Sequence, residues 1–151
     1  MLLFVFLITV ILFLFISYID INYFIIPNWS VVLVLLIGVF YQIYTGQQMP
    51  HLFAYVSIFF LAILFGLVLF MLNVWGAGDA KLMAASVFLV DLPNVLYFFC
   101  GCFICGVFWF LIFWPLKVWR NPNNISSNWQ KTQIPFAPGI FSSLIIVKSL
   151  F

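Results

Sequence analysis

A chain of 151 residues that is 68% hydrophobic and 5% charged, with a mean hydropathy of +1.31, stands far from the roughly 25% charged residues of soluble domains. This composition excludes a separate water-soluble domain and leaves one integral membrane domain over residues 1–151. That domain is all-α, because the apolar runs are continuous instead of alternating as barrel strands would. The net charge of +2 comes from five basic residues scattered along the chain, which make no nucleic-acid patch.

Residues 2–19 form the first apolar run, about 27 Å of helix and nearly enough to cross a hydrocarbon core of about 30 Å. It has neither a basic leading region nor a small-x-small cleavage site, so it reads as a retained span. Ser17-Tyr18-Ile19-Asp20 follows directly, then Ile26-Pro27-Asn28, where proline forces a break before the next helix. Residues 29–44 are the second span, with Trp29, Tyr41 and Tyr44 at interfacial depth, and Thr45 to Pro50 is a short polar turn. Residues 51–72 are the third span and end at Asn73. The fourth span, over residues 80–90, is short and opens at Trp75-Gly76-Ala77-Gly78-Asp79-Ala80-Lys81. After the turn at Asp91-Leu92-Pro93-Asn94, residues 95–116 are the fifth span and residues 117–133 a hydrophilic loop. Residues 134–150 are the sixth span, entered through Ile134-Pro135-Phe136-Ala137-Pro138-Gly139.

If the six spans alternate, the loops after the first, third and fifth share one face and carry Lys81, Lys117, Arg120 and Lys131. Lys148, Asp91 and the amino terminus take the other face. The excess of basic residues marks the cytoplasmic side. Two of the three carboxylates, Asp20 and Asp79, then fall together on the cytoplasmic face.

A carboxylate near hydrocarbon must be solvated, paired or protonated, which makes a membrane-edge acid a functional candidate. Two close carboxyls share one proton and their titrations separate. Such a pair can hydrolyse an amide, one member activating water and the other protonating the carbonyl, with no metal, cofactor or covalent nucleophile required. Gly76 and Gly78 would allow an extended backbone to approach. The alternative for each acid is a solvated helix end, where a carboxylate near an N-terminus gains about 0.3 to 1 kcal/mol from the dipole.

These residues resemble the type IV prepilin peptidases. Asp20 followed by Ile26-Pro27-Asn28 is similar to their first aspartate motif. Gly76-Ala77-Gly78-Asp79-Ala80-Lys81-Leu82 is similar to their Gly-x-Gly-Asp-x-Lys-Leu, and Ile134-Pro135-Phe136 to the segment opening their last helix. Ala137-Pro138-Gly139 departs from the small aliphatic residues expected there.

The resemblance implies a six-helix Gly-x-Gly-Asp aspartic peptidase of the cytoplasmic membrane. Its catalytic dyad would be Asp20 and Asp79, and it would cut the basic leader from a prepilin or pseudopilin. Gly76, Gly78, Lys81, Pro27 and Asn28 would line the substrate groove, and the pilus assembly machinery would be a partner. The compact size resembles the tight-adherence enzymes. Without the zinc-binding Cys-x-x-Cys insertion of larger members, peptidase activity without methyl transfer is expected. Two other readings compete: an intramembrane protease of the same class acting on other membrane proteins, and a non-catalytic subunit of a pilus or secretion machine.

Cys100, Cys102 and Cys105 lie within the fifth span and read as small packing residues. His51 falls on the outer face, away from the acids. Asn124-Ile125-Ser126 matches a glycosylation acceptor but falls on the cytoplasmic side.

Overall fold

A computed structural model describes residues 2–23, 25–46, 49–72, 75–120 and 135–150. Six α-helices follow in order: α1 (Leu2–Tyr23), α2 (Asn28–Tyr44), α3 (Met49–Met71), α4 (Ala77–Ser86), α5 (Val95–Arg120) and α6 (Ala137–Leu150). Two 3-10 turns, Val87–Leu89 and Leu92–Asn94, join α4 to α5. The described residues contain no strand.

Three of the helices are long and apolar enough to cross a membrane: α1 over Phe4–Tyr23, α3 over His51–Met71, and α5 with its leading turn over Leu92–Phe113. The helices α2 and α6 are apolar but shorter. The hydrophilic loop expected at residues 117–133 begins later, because α5 runs to Arg120; the remainder, and Asn73, lie outside the described residues.

The short α4 is the axis of the bundle. It packs on α2, α3 and α6, and every residue from Leu82 to Val90 is buried. Its side chains include Ala80, Ala84, Ala85 and Ser86, and Ser86 Oγ donates to the Leu82 carbonyl at 2.7 Å. Small residues at most of its positions, beside the buried Leu82 and Met83, let neighbouring helices approach at close range. Its carboxyl end needs partners for carbonyls left over by the helix. Gln42 Nε2 donates to the Phe88 carbonyl at 2.8 Å, and Tyr55 Oη donates to the Val90 carbonyl at 3.1 Å. The outer helices turn the opposite way, with Ile11, Leu14, Leu61, Leu64, Ile104 and Leu111 all exposed. Large apolar side chains outside and small ones at helix contacts are what hydrocarbon as a solvent selects.

The helices α5 and α6 form the most extensive pair. A Cβ on Gly139 would stand 3.0 Å from both the Cα and the N of Gly106, so backbone meets backbone there. Ser143 Oγ donates to the Phe98 carbonyl at 2.9 Å, and Trp109 Nε1 donates to Ser142 Oγ at 2.9 Å. Cys102 is buried in this contact region, Cys105 is half-buried and Cys100 exposed, all three as free thiols, in keeping with packing roles. Because backbone cannot step aside as a side chain can, Gly139→Ala should destabilise the bundle by about 1 to 3 kcal/mol. A lowered melting temperature in detergent would register this; an unchanged one would contradict the close α5–α6 approach.

Candidate active site

No proline or glycine interrupts residues 17–23, so α1 continues to Tyr23 and Asp20 sits in its last turns instead of beyond its end. Pro27, with φ of −66° and extended ψ, then caps α2. Similarly α4 begins at Ala77, three residues before the expected start, which places Asp79 within its first turn. There the Gly76 N–H donates to Asp79 Oδ2 at 3.2 Å, as an acid at the third helical position does in a capping box.

Both acids are buried, Asp20 4% exposed and Asp79 8%. Asp20 finds its partner across the bundle: Oδ2 accepts the Ala137 N–H at 2.9 Å. Ala137 opens α6, so its N–H is one of the donors every helix leaves unsatisfied, and the helix dipole favours a negative charge at that end. Trp75 orients this junction. Its ring lies 4.6 Å from that of Phe136 and stacks on Phe103 at 5.3 Å.

The two aspartates are brought into electrostatic contact. Asp79 lies outside the three long apolar helices, and burial, followed by the charge of Asp20, pushes its carboxyl up to about 8; the Gly76 N–H acts in the opposite direction. Burial and the charge of Asp20 thus both favour the protonated form of the Asp79 carboxyl.

The other candidate residues lie on the segments that open α2 and α4. Lys81 Nζ donates to Asn28 Oδ1 at 3.3 Å, linking the start of α4 to the start of α2, and both residues are exposed. Pro27 is half-buried beside Asn28, and its carbonyl accepts the Ser30 Oγ proton at 2.7 Å. A Cβ on Gly78 would lie 3.0 Å from Ile26 Cβ, and one on Gly76 would lie 2.8 Å from Asp79 Oδ2. Both glycines thus admit atoms of this chain, and Gly76 also has an exposed side. The sequence did not identify Ala137, Trp75 or Phe136 as parts of the same cluster. Pro138 in the first turn signals the start of a helix, but nothing local connects that start to a carboxylate 117 residues away.

Fold and site together define an all-helical membrane protein organised about a buried carboxyl pair. The model of the type IV leader peptidase family matches residues 7–111, the stretch that contains both aspartates. The chain belongs to that family, and is a protease of the leader-peptidase kind. Comparisons with curated proteins and with solved structures give no significant match.

The raised Asp79 has a consequence for stability. Below pH 3.8 the carboxyl is protonated in both folded and unfolded chains. Between pH 3.8 and about 8 only the unfolded chain releases the proton, so stability falls as pH rises through this window and levels off above it. Asp79→Asn cannot ionise, so its melting temperature should be flatter with pH and at least equal to that of the wild type at pH 8. A steeper fall in the variant would contradict the burial of a protonated Asp79.

Proposed function

We propose that the protein is an aspartic endopeptidase of the cytoplasmic membrane that removes the basic leader of a prepilin or pseudopilin, with Asp20 and Asp79 as its dyad. The observation that supports this reading is the burial of two carboxyls from separate motifs, with Asp79 raised by burial first and by the charge of Asp20 second. In this mechanism ionised Asp20, steadied by the Ala137 N–H, takes a proton from water. The resulting hydroxide attacks the scissile carbonyl while Asp79 protonates its oxygen. The tetrahedral diol then collapses: the C–N bond breaks, Asp20 passes its new proton to the leaving nitrogen, and a diol hydroxyl returns a proton to Asp79.

The distribution of basic residues supports a cytoplasmic site. Lys81 stands beside the dyad, and the end of α5 carrying Lys117 and Arg120 extends past the Gly106 contact with Phe136 and Gly139. Lys148, on the last turn of α6, belongs to the opposite end. The six segments would then alternate across the bilayer, with α2, residues 80–90 and α6 as its shorter crossings and Asp79 at the boundary just before the fourth. Gly76 on its open side, Lys81, Asn28 and Pro27 form the rim against which the unwound cleavage site would lie, and the pilus assembly machinery would receive the product.

Coexpression with a tagged prepilin tests this. The wild type should cut at the border between basic leader and apolar helix, while Asp20→Asn and Asp79→Asn, each still folded in the membrane, should lose at least about a hundredfold in rate, the lower end of what a positioned acid or base contributes. Retained cleavage in either variant would remove that residue from the dyad. Cleavage of other membrane proteins but of no prepilin would transfer the reading to a general intramembrane protease. Activity should also decline as pH rises past about 8, when Asp79 gives up the proton the mechanism needs; a rate still rising there would exclude Asp79 as the acid.

A further inference from the structure

At the end of the bundle away from the aspartates, a cavity of about 220 Å³ is lined by Tyr41, Val90, Asp91, Asn94, Val147 and Lys148. It is smaller than the roughly 300 Å³ at which pockets for drug-sized ligands begin, so it suits a compact polar group. Its two charges are opposite, yet neither is engaged in an ion pair among the described residues. Lys148 Nζ instead lies 3.9 Å over the ring of Tyr41, which holds an ammonium in place without neutralising it. The side chain of Asp91 accepts no hydrogen bond among the described residues, although its backbone carbonyl accepts the Asn94 N–H at 2.9 Å. A separated ammonium and carboxylate facing one cavity at a membrane boundary are costly unless something of complementary charge lies between them.

An apolar groove of about 640 Å³ shares the α2 wall with this cavity. It runs between Phe4, Val5 and Ile8 of α1 and Leu36, Ile37, Val39, Phe40 and Ile43 of α2. Tyr41 follows Phe40 directly and lies one turn beyond Ile37. A dipolar cavity and an open hydrocarbon groove on the same helix, at the same end, match the two parts of a phospholipid.

We infer that this end of the bundle is a binding site for a phospholipid with a primary-amine zwitterionic headgroup. The phosphate pairs with Lys148, the ammonium donates to Asp91 and the Asn94 side-chain carbonyl, and an acyl chain lies between α1 and α2. The site is independent of the peptidase chemistry and uses no residue of the dyad.

The test exchanges the purified protein into phosphatidylcholine nanodiscs doped with phosphatidylethanolamine or with phosphatidylglycerol and counts retained lipids by native mass spectrometry. Phosphatidylethanolamine should be retained about tenfold over both others, as expected when a hydrogen bond to a charged group contributes about 1.4 kcal/mol or more. Choline cannot donate to Asp91, and phosphatidylglycerol has no cation. Asp91→Asn should abolish the preference, whereas Lys148→Gln should lower the retention of all three lipids, which share the phosphate, and Lys148→Arg should restore it. Equal retention of the three lipids by the wild type would overturn the proposal whether or not the variants fold, as would a folded Asp91→Asn variant with the preference intact or a folded Lys148→Gln variant with undiminished retention. Displacement of the lipid by excess free glycerophosphoethanolamine would assign the cavity to a soluble zwitterion and equally overturn it.

Discussion

Two carboxyl groups buried in a chain that is otherwise almost wholly apolar impose the constraint to which the rest of this structure answers. Neither can be left without a partner, because desolvation penalises the charged form by far more than a single helix contact returns. Asp20 is accommodated by the exposed donor at the start of α6, 117 residues away in the chain. Asp79 is accommodated by the Gly76 N–H, and its burial favours the protonated carboxyl. The two solutions differ: one carboxyl accepts from the start of a distant helix, the other from the glycine that caps its own.

The supporting architecture follows from the same need. The carboxyl of Asp79 is carried on a helix with little side-chain bulk, so α2, α3 and α6 can close around it. The 3-10 turn after that helix leaves the Phe88 and Val90 carbonyls to be satisfied from outside, and Gln42 and Tyr55 supply the donors from α2 and α3. Close backbone approach at Gly106 and Gly139 fixes α6 against α5, and with it the N–H that Asp20 requires. In hydrocarbon, where apolar contact between helices gains little over contact with lipid, such small-residue packing and a few buried hydrogen bonds determine which helices associate.

The bundle has two chemically distinct ends. One carries the aspartates with Lys81 and Asn28 at their rim, and the other a dipolar cavity lined by Asp91 and Lys148. Expecting Asp91 and Lys148 at the end opposite Asp20 and Asp79 required only counting spans and charges. Finding that they border the same small cavity, with Lys148 over Tyr41, required the packing of α6 against α2.

Much of this protein was legible in its residues. Continuous apolar runs specify membrane helices, and Pro27 and Gly76 punctuate them next to Asp20 and Asp79, because proline and glycine act on the backbone locally whatever surrounds them. The motifs therefore pointed to the family before any helix was placed. The end of α1 was not legible, since residues 17–23 contain no breaker and a helix proceeds until it meets one. Nor was the part played by Ala137, whose contribution is a backbone N–H that every residue except proline possesses. Sequence by itself determined the class of protein, the two acids and their order along the chain, because these depend on side-chain chemistry and local punctuation. Only the tertiary structure decided which acid meets the start of α6 and that both are buried, because burial and contacts between distant segments belong to the packed bundle and to no single stretch of it.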